Sequence, residues 1–130
     1  MWMPLVSQYM TSHPRVVAPD TELGTVRALM HDEKIHHLPV VEGNVLVGIL
    51  SDRDLVLMNE SDDQVRDAMT TDVAQVHKGA PLDQVVALMR LEKFGSVVVV
   101  GPGGVEGIFT IADALHALSD ALRQPDPGRL

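Results

Sequence analysis

The sequence has no cysteine, which excludes disulfides and thiol chemistry and leaves the redox compartment unmarked. Aromatic residues are 3% of the chain while hydrophobic residues are 45%, so the core has to be built from Val, Leu, Ile, Met and Ala. No apolar run approaches the roughly 18 residues that a membrane span needs. The start, Met1-Trp2-Met3-Pro4, lacks the basic region and apolar stretch of a secretion signal, so the expected location is cytoplasmic. Positive charge is scarce as well. Ten Lys and Arg face 18 Asp and Glu, for a formal net charge of −8. A nucleic-acid surface needs clustered cations, and Lys34 and Lys93 stand alone, so nucleic acid is not an expected partner. A small anionic ligand needs only a few local cations and stays open. With no locally spaced Ser-His-Asp set and no Walker-type loop, the chain does not read as an enzyme.

What is present is a repeated corner. Val45-Leu46-Val47 runs into Gly48-Ile49-Leu50-Ser51-Asp52-Arg53-Asp54, which reads as a buried strand turning into a helix. A hydroxyl and a carboxylate at such a corner sit beside unpaired backbone N–H groups and the positive end of the helix dipole. They can bind a phosphate and a ribose diol, or simply cap the helix. The corner recurs as Gly107-Ile108-Phe109-Thr110-Ile111-Ala112-Asp113, and Gly48 and Gly107 are 59 positions apart. That offset lays Val6–Leu55 on Val65–Ala114 without a gap. Met10-Thr11 falls on Met69-Thr70, Ala28-Leu29-Met30 on Ala87-Leu88-Met89, and Val40-Val41 on Val99-Val100. The chain is an internal duplication. At 130 residues it is too short for two independent domains of ordinary size, so the copies are expected to share one core.

Each copy reads as strand, helix, strand, strand, helix, an α/β unit. In the first, Val6–Met10 is a helical turn and Val16–Ala18 a strand. Asp20 or Thr21 caps a helix that runs to about Glu33. Leu38–Val41 and Val45–Leu50 are strands joined by Glu42-Gly43-Asn44, and a helix runs from Asp52 to about Asn59. Glu60–Gln64 links the copies. In the second, Val73–Val76, Val97–Val100 and Val105–Phe109 are strands, and Leu82–Leu91 and Ile111–Leu122 are helices. Residues 123–130 read as a flexible tail.

The doubled Gly-Ile-x-(Ser/Thr)-x-x-Asp corner, the Met-Thr that opens each copy and His37-Leu38-Pro39-Val40-Val41 resemble a tandem pair of CBS domains. The resemblance covers about residues 5–120. It implies two β-α-β-β-α CBS repeats, 5–59 and 64–122, related by pseudo-twofold symmetry. It also implies a regulatory module that binds adenosyl ligands (AMP, ADP, ATP or S-adenosylmethionine) between the repeats. Carried over residue by residue, Asp54 and Asp113 would hold ribose hydroxyls, and Ser51 and Thr110 would touch phosphate. His36 and His37 stand where related nucleotide binders carry basic residues, and Arg53 is a further candidate to neutralise phosphate. Histidines beside phosphates should have raised pKa values. Thr11, Ser12 and Val16, with Thr70, Thr71 and Gln75, match positions near the base. The second repeat departs from the pattern. Gly95-Ser96 replaces the histidines and Ile111-Ala112 replaces Asp52-Arg53.

The family also commonly forms flat homodimers through its helices. Leu115, Leu118 and Leu122 form a stripe longer than one small sheet should cover, and stripes of this kind mark interfaces. The chain is therefore expected to work as a homodimer acting on a regulated protein that the sequence does not name. A structural dimerisation module without ligand is the alternative. His31, Asp32, His36 and His37 are metal-ligating types, but one pair ends a helix and the other begins a strand, so no metal site is assigned.

Overall fold

The two copies fold in the same order and then exchange their leading segments. The computed structural model describes residues 2–58 and 63–124, in a mixed α+β architecture. A 3-10 turn at Val6–Gln8 leads to β1 (Thr11–Ser12), α1 (Leu23–Glu33), β2 (His37–Glu42), β3 (Val45–Ser51) and α2 (Asp52–Val56). Then come α3 (Val65–Ala68), β4 (Gln75–Val76), α4 (Leu82–Glu92), β5 (Ser96–Gly101), β6 (Gly104–Thr110) and α5 (Ile111–Arg123). The expected linker and tail fall largely on 59–62 and 125–130, outside the described residues.

The exchange is written in the hydrogen bonds. Strand β1, from the start of the chain, pairs antiparallel with β6 through Thr11 and Ile108, completing a sheet of order β1-β6-β5-β4. At the offset of the duplication, Thr70 bridges Ile49 of β3 in the same antiparallel sense. Val17 bridges Val40 in parallel, as Val76 of β4 pairs with Val99 of β5. Each hairpin also carries one bulge, between Val40 and Val41 and between Val99 and Val100. So Thr11-Ser12, which the sequence reading places outside any strand, is a strand lent to the other repeat.

This exchange explains the glycine in the doubled corner. A Cβ on Gly48 would lie 2.7 Å from Met69 Sδ and 3.0 Å from the Thr70 carbonyl oxygen. A Cβ on Gly107 would collide with Met10 Sδ. The Gly-Ile and Met-Thr motifs are thus the two halves of one contact, made twice.

Two expectations are corrected by the same geometry. The copies do not share one core. Val6 packs fully buried with Leu82, Val85, Val97, Val99 and Phe109, whereas Val65 packs with Leu23, Val26, Leu38, Val40 and Leu50. Each core is closed by a valine from the segment that precedes the other repeat. Nor do Asp20 or Thr21 cap α1. Its N-cap is Glu22, which makes no side-chain cap bond, and the Leu23 N–H donates to the Asp63 carbonyl at 2.7 Å. Helix α4 is treated alike, with the Leu82 N–H donating to the Pro4 carbonyl at 2.9 Å. Backbone from the exchanged arm satisfies one orphan donor of each first turn, which no local residue pattern reports.

Helix α2 ends at Val56 instead of reaching Asn59. The Arg27 guanidinium donates to the Leu55 carbonyl at 3.0 Å and to the Met58 carbonyl. Those carbonyls end the helix against a cation, as the negative end of the dipole favours. Val16–Ala18 provides only the Val17 bridge, and the Val73–Val76 strand shortens to Gln75–Val76. No described helix is long and apolar enough to cross a membrane.

Candidate functional site

Both corners are closed by their own side chains. The Ser51 N–H donates to Asp54 Oδ2 at 2.8 Å, and the Asp54 N–H donates back to Ser51 Oγ at 3.3 Å. In the second repeat the Thr110 N–H donates to Asp113 Oδ2 at 2.9 Å and the Thr110 hydroxyl to the same oxygen at 3.2 Å. The first is a reciprocal capping box at the start of α2; at the start of α5 both bonds run from Thr110 to the Asp113 carboxylate, and the Thr110 hydroxyl does not cap the helix in return. A carboxylate that accepts one backbone N–H still has lone pairs for further donors, so capping and ligand contact are compatible for Asp54 and Asp113.

Exchange of the arms turns the two corners toward one cleft of about 980 Å³, which Ser51, Asp54, Thr110 and Asp113 all line. His36, His37, Arg53, Thr11 and Thr70 line it too. Val16 does not; it is exposed outside the cleft, as are Ser12, Thr71 and Gln75. The backbone of Thr70 is engaged in both directions with Ile49, each bond 2.9 Å. Ile35, Ile49, Val73 and Phe94 supply apolar wall.

The two histidines differ. His36 Nδ1 is 2.8 Å from Asp52 Oδ2, and this hydrogen bond is the main reason the Asp52 carboxyl titrates below the ordinary carboxylate range. His37 is half-buried, and burial lowers its pKa against the opposing pull of Asp52 and Asp54. Its Nε2 stands 3.6 Å from where a Cβ on Gly95 would be, so the side chain reaches from the first repeat to the second. The raised pKa expected beside phosphate is reversed in the protein alone, because the ring is desolvated before any anion is there.

Residues that sequence reasoning passed over also line the cleft: Arg15, Lys34, Lys93 and Asp72. Arg15 is neutralised by Glu33 through two bonds, Nε to Oε1 at 2.9 Å and Nη2 to Oε2 at 2.7 Å. Lys93 changes the picture of the second repeat, where Gly95-Ser96 and Ile111-Ala112 stand in place of the first repeat's histidines and Arg53. The signal was available: Glu33-Lys34 and Glu92-Lys93 occupy matching places in the duplication.

Sequence and structure comparisons agree with this geometry. Residues 6–58 and 65–120 each match the CBS domain. The chain is 31% identical over 106 residues to inosine-5′-monophosphate dehydrogenase of Staphylococcus epidermidis, covering 78% of this chain but 22% of the dehydrogenase. It thus spans about a fifth of the length of that relative. CBS domain-containing protein YhcV of Bacillus subtilis is 26% identical over 124 residues, with 91% of this chain and 89% of YhcV covered. Among solved structures, CBSX2 in complex with AMP has a TM-score of 0.83 at 26% identity, covering 92% of this chain and 99% of CBSX2. The CBS domain pair of MJ0100, in complex with 5′-methylthioadenosine and S-adenosyl-L-methionine, has a TM-score of 0.81 at 25% identity, covering 92% and 99%. Two CBS domains exchanging their leading arms around one cleft define a tandem CBS pair. The chain belongs to the CBS domain family.

Proposed function

We propose that this chain is a regulatory module that senses an adenosyl ligand in the cleft between its repeats. One observation carries the reading: two hydroxyl–carboxylate corners at helix starts open into one cleft of about 980 Å³. That volume is at the upper end of ordinary ligand sites, roughly 300–1,000 Å³. Asp54 holds the ribose diol, Ser51 and the α2 N-terminus face the phosphate, and His36, His37 and Arg53 neutralise it. Thr110 and Asp113 take the corresponding parts in the second repeat. AMP, ADP, ATP and S-adenosylmethionine are the candidate ligands, and the adenosyl compounds bound in CBSX2 and the MJ0100 pair support that class. A ligand that touches both repeats favours one arrangement of the pair and so changes the surface offered to a regulated protein.

The active unit is a homodimer. The stripe expected on α5 is solvent-exposed in one chain, with Leu115 at 61%, Leu118 at 52% and Leu122 at 77%, and Ile111 extends it at 56%. Light scattering at micromolar concentration then gives twice the chain mass; a monomer mass contradicts the dimer without touching the ligand reading.

The rival reading, a structural module, is favoured by one specific fact: both aspartates already have work as helix caps. Calorimetric titration of the full chain with AMP, ATP and S-adenosylmethionine separates the two. Saturable binding of one of them supports the sensor. No heat from any of them at millimolar concentration leaves the structural module.

A further inference from the structure

The backbone is left-handed at two residues that carry charge. Lys34 has φ 55° and ψ 44°, and Lys93 has φ 59° and ψ 37°. Each comes directly after the last turn of its helix, at the end of α1 and of α4. The next residue's N–H closes the turn: Ile35 donates to the Met30 carbonyl at 2.9 Å and Phe94 to the Met89 carbonyl at 3.0 Å. This is the Schellman closure, and its left-handed position is ordinarily glycine, because a Cβ there is strained. Both repeats put lysine there.

Both lysines line the cleft. The cleft needs them. Four Lys or Arg residues line it against five carboxylates, so it is not basic overall. Arg15 is held by Glu33, and among the described residues Lys34, Arg53 and Lys93 are the lining Lys and Arg side chains that form no ion pair. Lys93 is the cation that the second repeat contributes.

A simpler cause competes with this. A cation beside a helix C-terminus is favourable whatever lines the neighbouring cleft. That cause predicts an effect on folding alone. It does not predict that both lysines line a cleft that is otherwise short of free cations.

We propose that Lys34 and Lys93 are the matched phosphate-holding residues of the cleft, one from each repeat, retained in a strained backbone position because their ammonium groups serve the ligand. The inference rests on the adenosyl-ligand reading and adds that the second corner is also equipped for a phosphate.

The test uses Lys34→Gly, Lys93→Gly and the corresponding arginine variants in the full chain. Melting temperatures are measured without ligand, and affinities for adenosine, AMP and ATP are measured by calorimetry. Glycine relaxes the backbone, so each glycine variant folds and melts within about 4 °C of the parent or above it. AMP and ATP affinity falls about tenfold per glycine variant, while adenosine affinity is unchanged, and arginine restores nucleotide binding. Unchanged AMP and ATP affinity in both glycine variants overturns the proposal and leaves the helix-end explanation. Equal losses for adenosine and AMP also overturn it, since the lysines would then shape the nucleoside site. A parent chain that binds none of the three removes the ligand reading itself, and the lysine inference with it.

Discussion

The two strand-to-helix corners share a backbone and a cap but differ in helix length and in charge. Ser51 and Thr110 begin α2 and α5 with the same backbone N–H bond to the carboxylates of Asp54 and Asp113. Yet α2 covers five residues, Asp52–Val56, and α5 covers 13, Ile111–Arg123. The first corner carries Asp52 and Arg53 with His36 and His37 nearby; the second carries Ile111 and Ala112 with Gly95 and Ser96. Arg27 holds the end of α2, and its counterpart at the offset is Val86, which is exposed. Folding alone accounts for the shared part, because both helices need a cap and both glycines must admit a crossing arm. On the proposed reading, ligand specificity lies in the unshared part, where the charge differs.

If the exchange of arms is as reciprocal as its hydrogen bonds, damage to one arm will appear in the other repeat. Val6→Ala and Val65→Ala each remove buried methyl groups and should destabilise the chain by about 2 kcal/mol. Hydrogen exchange should rise first in β5 and β6 for Val6→Ala and in β2 and β3 for Val65→Ala. Exchange rising first within the mutated valine's own repeat would break the reciprocity.

A smaller effect sharpens the contrast between α2 and α5. Arg27→Ala leaves the Leu55 carbonyl of α2 and the Met58 carbonyl just beyond it without their charged donor and should cost about 1 kcal/mol after allowance for solvent exposure. Val86→Ala at the matching position, 39% exposed, should be close to neutral in chemical denaturation. Similar losses in the two would mean that Arg27 is not what ends α2.

A pH response is expected from His37 and Asp52 of the first repeat. Burial lowers the His37 pKa, so the stability it contributes is full above the ordinary histidine value of 6.5 and is lost as pH falls through the lowered value. Asp52 is also lowered, chiefly by His36, and its contribution is present above 3.8 and lost as pH falls below that. Melting curves from pH 8 to pH 5 should therefore fall for the parent and flatten for His37→Gln. A nucleotide whose phosphate lies beside His37 raises that pKa instead, so its binding should tighten over the same interval.

Much of this was legible in the sequence. The 59-residue offset, the helices α1, α4 and α5, the two hairpins and the corners were readable, because period and turn chemistry are local signals, whereas the expected strand Val16–Ala18 is only the Val17 bridge. The exchange was not. Met10 and Gly107 contact each other across nearly the whole chain, and the caps of α1 and α4 come from the Asp63 and Pro4 carbonyls. No local rule reports a helix capped by distant backbone, which is why Asp20 and Thr21 looked like caps. The cleft cations were missed for a different reason. Lys34 and Lys93 read as solitary surface charges until their left-handed backbone and their place on the cleft wall were seen together.

The most direct measurement is a calorimetric titration of AMP and ATP into the parent, Asp54→Ala and Asp113→Ala proteins side by side. Each ribose hydrogen bond to a carboxylate is worth roughly 1.5–3 kcal/mol, and 1.4 kcal/mol is a factor of about ten in affinity. Both variants also lose a helix cap, so far-ultraviolet circular dichroism first establishes that each is folded at the titration temperature. With His36, His37 and Arg53 at the first corner and Lys93 alone at the second, Asp54→Ala should weaken ATP binding about tenfold to a hundredfold, and Asp113→Ala should weaken it less. The opposite ranking, with Asp54→Ala binding as the parent does and Asp113→Ala not binding, would put the ligand at the other corner.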